Sequence, residues 1–106
     1  MRIRRINLGD RPPGCPDFGN ADEATLGLVP NPKWWVRWPA LPLKNINLPW
    51  QESAGYIFAL DYEDTLEPPY MVYKGNVFPL PQPDTDPIAG NYASLEALML
   101  AGWRVD

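Results

Sequence analysis

Tyr56-Ile57-Phe58-Ala59-Leu60-Asp61-Tyr62 is the stretch on which the fold turns. Tyr56, Phe58, Leu60 and Tyr62 fall on one side of an extended chain and Ile57, Ala59 and Asp61 on the other, the period-two alternation of a β-strand. Its length suits a central strand. Moving toward the C-terminus, the polar connection Glu63-Asp64-Thr65-Leu66-Glu67-Pro68-Pro69 leads into Tyr70-Met71-Val72-Tyr73, a second strand. Lys74-Gly75-Asn76-Val77 places Gly-Asn between two β-rich runs, which suits a type II′ turn and predicts a hairpin of Tyr70–Lys74 with Val77–Leu80. Pro79, Pro81, Pro83 and Pro87 end that strand and leave Gln82–Gly90 exposed with polyproline II character. Tyr92–Ala101 reads as a helix, with Leu95, Leu98 and Met99 on one face, Asn91 or Ser94 as cap and Gly102 as its stop. Trp103-Arg104-Val105 adds a last short strand.

In the other direction, Lys33–Trp38 alternates with Trp34, Val36 and Trp38 on one face and Trp35 and Arg37 on the other, the pattern of a half-buried strand halted by Pro39. Pro39, Pro42 and Pro49 make the following residues extended and irregular as far as Trp50, because each ring fixes φ and removes a backbone donor. Asp10–Pro32 is a turn-rich, ordered loop holding one short helix, Ala21–Leu26, capped by Asn20. Ile3, Ile6 and Leu8 among Arg2, Arg4 and Arg5 predict an edge strand over residues 1–8. There is no internal repeat and no heptad. The architecture expected is α+β: a small, mainly antiparallel sheet of four to five strands, a C-terminal helix packed on one face, and proline-rich loops.

The 106 residues fit a single domain spanning 1–106, and 45% hydrophobic with 21% charged residues is ordinary for a chain with a packed core. Fourteen prolines and eight glycines mean that much of it is loop. No histidine is present, which removes the imidazole general base, Ser-His and Cys-His pairs, and His metal ligands. The lone Cys15 excludes an intrachain disulfide and a thiolate zinc site, and points to a reducing, cytoplasmic compartment. Beside Asp17, with no imidazole to activate it, this thiol is a poor nucleophile. The sequence contains no run apolar enough for a membrane span and no apolar segment after Met-Arg-Ile-Arg-Arg to make a signal peptide.

Several features carry functional weight beside a plainer structural reading. Residues 1–53 hold seven basic groups against five acidic, whereas residues 54–106 hold two against eight. An acidic pole of this kind steers a basic partner, although solvation of loops beside hydrophobic strands accounts for the same distribution. Five tryptophans are many for this length, and on a strand Trp34 and Trp35 point to opposite faces. One of them then reaches the surface beside Arg37 as an interface anchor, unless loops and a helix cover both faces. Pro39-Ala40-Leu41-Pro42-Leu43-Lys44 matches the PxxPx-basic pattern read by SH3-type grooves, a short and common pattern that a packed proline-rich loop explains equally. Asp84-Thr85-Asp86 and the group Asp61, Glu63 and Asp64 lack the glycine turn and ligand number of a calcium or magnesium loop. No phosphate-cradling glycine loop is present.

The function expected is therefore that of a non-enzymatic protein-binding module, an adaptor subunit or small inhibitor without cofactor or metal. Trp34, Trp35, Arg37 and Trp38 are its anchors, and Asp61, Glu63, Asp64 and Glu67 its complement to a partner with a basic surface. Single-stranded nucleic-acid binding by the basic arm and the Trp strand is the alternative, set against an isoelectric point of about 4.6. Carbohydrate or small-ligand binding on the aromatic surface is a third reading, and homo-oligomerisation is compatible with all three.

Overall fold

The computed structural model describes residues 14–60, 65–77 and 80–106. Among them are two α-helices, α1 (Ala21–Leu28) and α2 (Leu95–Leu100), and five strands: β1 (Ala40–Asn45), β2 (Ala54–Phe58), β3 (Tyr70–Lys74), β4 (Ile88–Tyr92) and β5 (Trp103–Val105). The strands form one sheet in the spatial order β4-β3-β2-β1-β5, every neighbouring pair antiparallel. This is a small α+β fold. The predicted edge strand at residues 1–8 lies outside the described residues, as do Asp61 and Tyr62 of the predicted central strand.

The strand expected at Tyr56–Tyr62 is present as β2, shifted to Ala54–Phe58 with Ala59 and Leu60 outside it, and it has one face for each of two clusters, as its alternation requires. Ile57 joins Leu41, Leu43, Val72, Trp35, Leu98 and Trp103 in the main core. Tyr56 on the opposite face packs with Ala40 and Val77, flanked by Phe58 and Tyr73. The Tyr56 and Tyr73 rings stack with centroids 5.3 Å apart. Trp103 crosses the sheet so closely over Gly55 that a Cβ there would stand 2.7 Å from its ring, so only glycine fits beneath the indole. Trp103 Nε1–H then donates to Tyr92 Oη at 3.0 Å, joining β5 and β4, the two outermost strands, across a curled sheet.

Helix ends follow local chemistry. Asn20 is extended and its side chain accepts from the Glu23 backbone N–H at 2.9 Å, while Glu23 Oε1 accepts from the Gly19 N–H at 2.9 Å. The predicted helix is thus present and runs two residues longer. Thr25, fully buried on α1, donates through its hydroxyl to Ala21 O at 2.7 Å and accepts from the Val105 N–H at 2.9 Å, docking α1 along β5. Ser94, not Asn91, caps α2, and Tyr92 belongs to β4. Leu98 is the fully buried residue of α2.

Four further sequence expectations are corrected. Lys33–Trp38 is not a strand. Pro32–Trp34 is a 3-10 turn, followed by reversals in which Trp38 N–H donates to Trp35 O and Ala40 N–H to Arg37 O. Pro32 at the turn's first position and the Trp35 indole, which finds a carbonyl on α1, override the alternation.

Residues 40–45 are not irregular, because β1 lies between β2 and β5 despite Pro42. Asn45 N–H donates to Ser53 O and Ala59 N–H to Pro39 O, so odd-numbered residues of β1 hydrogen-bond β2 and even-numbered ones face β5. Pro42 therefore lacks its N–H only on the β5 side. Opposite it lies Asp106, just past the end of β5, whose N–H donates to Pro42 O. The same packing leaves the PxxP pattern within a strand whose Ala40, Leu41 and Leu43 are buried.

Nor does Tyr70–Lys74 form the expected hairpin with Val77–Leu80, of which residues 78 and 79 lie outside the described residues: its two edges are taken by β2 and β4. Gly75 N–H donates to Ala54 O, continuing the ladder to β2, and Lys74 N–H donates to Pro87 O, leading into β4. Ile88–Tyr92 is that fourth strand, with a bulge against Val72/Tyr73, although Ile88–Gly90 were expected as exposed polyproline, Asn91 as a helix cap and Tyr92 as the start of the helix. Val77 and the residues around Gln82 and Asp86 instead cross the second face of the sheet. Tyr56 Oη donates to Asp86 Oδ2 at 2.7 Å and accepts from the Gln82 N–H at 3.1 Å. Burial first, and the Asp86 carboxylate second, push the Tyr56 phenol well above its ordinary value.

Candidate protein interface

The turn between α1 and β1 sorts the predicted anchors into two groups. Trp35 points inward: it is 4% exposed, belongs to the main core, and its Nε1–H donates to Leu28 O at 2.6 Å. Sequence alternation offered Trp35 as a surface anchor; the structure makes it the plug that fastens the turn to α1. Trp34 is half-buried, with Lys33 Nζ 5.2 Å above its ring centroid, a cation–π contact at the surface. Val36, Arg37 and Trp38 project outward, Val36 being 65% exposed and Trp38 38%. The Trp38–Pro39 peptide that follows is cis.

Two clefts flank this turn and share Val36 and Arg37 as their common wall. The first, about 160 Å³, opens where β5 ends and β1 continues past it, lined by Trp34, Trp35, Leu41, Pro42 and Val105, with Asp106 at its polar end. Among the described residues, no strand pairs with that side of β1 beyond Pro42. The second, about 340 Å³, lies between Trp38 and Pro39 on one side and Val77, Leu80 and Pro81 on the other. Leu80, 71% exposed, brings an apolar wall from a segment distant in sequence. Arg37 thus stands between two apolar clefts.

Among the predicted acidic complement, Asp61, Glu63 and Asp64 lie outside the described residues, and Glu67 is exposed. Leu66 N–H donates to Pro30 O at 2.8 Å, which brings the chain at Glu67 against the segment leading into the Trp34–Trp38 turn. Tyr70, on the strand that follows, is raised above the usual phenol range by burial and then by Glu67. Among the described residues no three His, Cys, Asp or Glu side chains gather into a metal site, and no helix is long and apolar enough to cross a membrane.

Sequence reasoning missed two surface groups. Leu80 was assigned to a strand and so was not read as part of the site. Trp50, taken as the end of an irregular segment, is 80% exposed at the tip of the β1–β2 connection, with Ile46 and Leu48 exposed beside it. The surrounding Asn47, Pro49, Gln51 and Glu52 are the signal that would have marked it as a tryptophan on a loop. No family model, curated protein or solved structure matches the chain.

Proposed function

We propose that this chain is a non-enzymatic protein-binding module, an adaptor or small inhibitor, whose recognition surface is the Val36–Pro39 turn and its two clefts. The observation that carries the reading is the grouping of exposed Val36, Trp38 and Leu80 around Arg37, on a rigid turn between clefts of about 160 and 340 Å³. A turn fastened by the buried Trp35 and by successive backbone hydrogen bonds loses little conformational entropy on binding. Apolar knobs of the partner would enter the clefts, and an acceptor would meet Arg37. The net charge of −4, with Glu67 at the perimeter, favours a partner whose surrounding surface is basic. It also disfavours the nucleic-acid alternative, which needs a positive field. The lone Cys15 fits work in a reducing cytoplasm.

The test is photo-crosslinking in source cells from a reactive amino acid placed at Val36, with the captured partner then titrated against purified variants. Arg37→Glu and Trp38→Ala are expected to weaken binding about tenfold or more while the thermal transition stays near wild type. A partner that binds both variants as tightly as the parent chain would remove the turn from the interface.

A further inference from the structure

The opposite end of β1, roughly 17 Å of strand away from the Arg37 turn, carries a second surface. We infer that it is a self-association surface, on which two copies of this chain pair about a two-fold axis, each inserting Trp50 into the other. Three observations on one end of the molecule lead there. First, Trp50 is 80% exposed in the 3-10 turn Trp50–Glu52, with Leu48 43% and Ile88 58% exposed nearby. An indole so exposed is an apolar knob, the residue type most enriched among interface anchors. Second, a cleft of about 320 Å³ opens beside that knob, lined by Leu48, Ile88, Tyr92 and Trp103. It is large enough for one indole, and Trp103 and Tyr92 at its base are already locked by their mutual hydrogen bond. Third, the cleft carries one charge of each sign, Glu52 and Lys74, and among the described residues neither forms an ion pair within the chain.

Knob, hole, anion and cation on a single surface are the requirements for self-complementarity. In a two-fold contact, if residue i of one copy meets residue j of the other, then j also meets i. Trp50 of one copy filling the cleft of the second implies the reverse insertion, and sets Glu52 of each copy facing Lys74 of its mate. A lipid surface is a poorer occupant, because the cleft offers balanced charges in place of the cationic excess that anionic headgroups select. An unrelated protein would have to reproduce a knob and a charge order that a second copy supplies by symmetry.

Sedimentation velocity over a wide range of protein concentration tests the inference. The wild type is expected to show a concentration-dependent monomer–dimer equilibrium, and Trp50→Ala to raise the dimer dissociation constant about tenfold or more. Glu52→Lys and Lys74→Glu should each weaken the dimer, and the double variant carrying both should recover it, since the swap restores opposite charges across the axis. Trp38→Ala, at the other end of β1, should leave association unchanged, so this result and the turn's role in partner binding fail separately. A wild type that stays monomeric at the highest concentration overturns the inference. So does a dimer indifferent to Trp50→Ala, or a double variant no better than the singles. Circular dichroism of each variant guards against loss of fold, and the charge-swap arm stands even if Trp50→Ala proves unstable.

Discussion

Two tryptophans three residues apart, Trp35 and Trp38, differ in burial, and mutation should separate them. Trp35→Ala removes a core indole and orphans the Leu28 carbonyl that its N–H satisfies, a loss of about 3–5 kcal/mol. Trp38→Ala, at a side chain 38% exposed, should cost about 1 kcal/mol or less. Urea unfolding of the two variants beside wild type measures the difference, and equal losses would contradict the assignment. Tyr56 offers a second residue-scale test, through pH. Its phenol keeps its proton in the folded state to a higher pH than in the unfolded chain, so above about pH 10 the unfolded chain ionises first. The resulting stability is full below that pH and declines as pH rises. Tyr56→Phe should cost about 1 kcal/mol at neutral pH, through loss of the bonds to Asp86 and Gln82, and should lessen the alkaline decline. Tyr70, also raised, leaves part of the decline in place. An alkaline profile identical in the variant would show that Tyr56 titrates alike in both states.

At the scale of elements, the clearest dependence is at the junction of α2 and β5. Gly102 sits at φ +101°, in the region that side chains avoid, and a Cβ there would stand 2.5 Å from Asn45 Oδ1 and 2.6 Å from Asn47 Nδ2. Both asparagines donate to Ala101 O, at 3.1 and 3.4 Å, tying the β1 exit to the end of α2. Gly102→Ala should therefore destabilise by about 1–3 kcal/mol, readable as a lowered Tm, and a Tm unchanged would show that the junction relaxes freely. Elements defined by local chemistry were legible in the sequence. Asn20 and Ser94 as caps, Gly102 as a stop, β3 and β5 as strands all follow from side chains acting on backbone within a few residues. The mis-assigned elements depend on distant partners. Lys33–Trp38 alternates like a strand, yet Trp35 is claimed by Leu28 and the backbone by turns. Pro42 reads as a strand breaker, yet it sits where its missing donor meets only the end of β5. Gly75-Asn76 reads as a hairpin turn, but Gly75 is held by Ala54.

On the scale of the molecule, the class of fold was readable from alternation and helix signals, whereas the strand order was not, because nothing local says that residues 88–92 belong beside 70–74. The site was legible in part for the same reason. Arg37 and Trp38, named from residue type, are exposed beside the clefts, while Leu80 reaches its cleft only through tertiary packing, and Trp35, expected at the surface, is buried. The chain's charge makes a prediction of its own: at −4 near neutrality and an isoelectric point near 4.6, its solubility minimum should fall close to that pH, visible as a turbidity maximum. A minimum well above neutrality would mean that the charges do not titrate as free groups. Finally, α1 lies along β5, with Thr25 taking the Val105 N–H and Asp22 holding Arg104 at 2.5 Å. That flank of the sheet is already occupied, whereas among the described residues β4 pairs with β3 alone. Among the described residues the β4 edge is the one open to strand addition, and two molecules joined there would present helix-covered flanks at their far edges. A sheet extended once in that way meets a docked helix at its far edge, so α1 works against fibre growth.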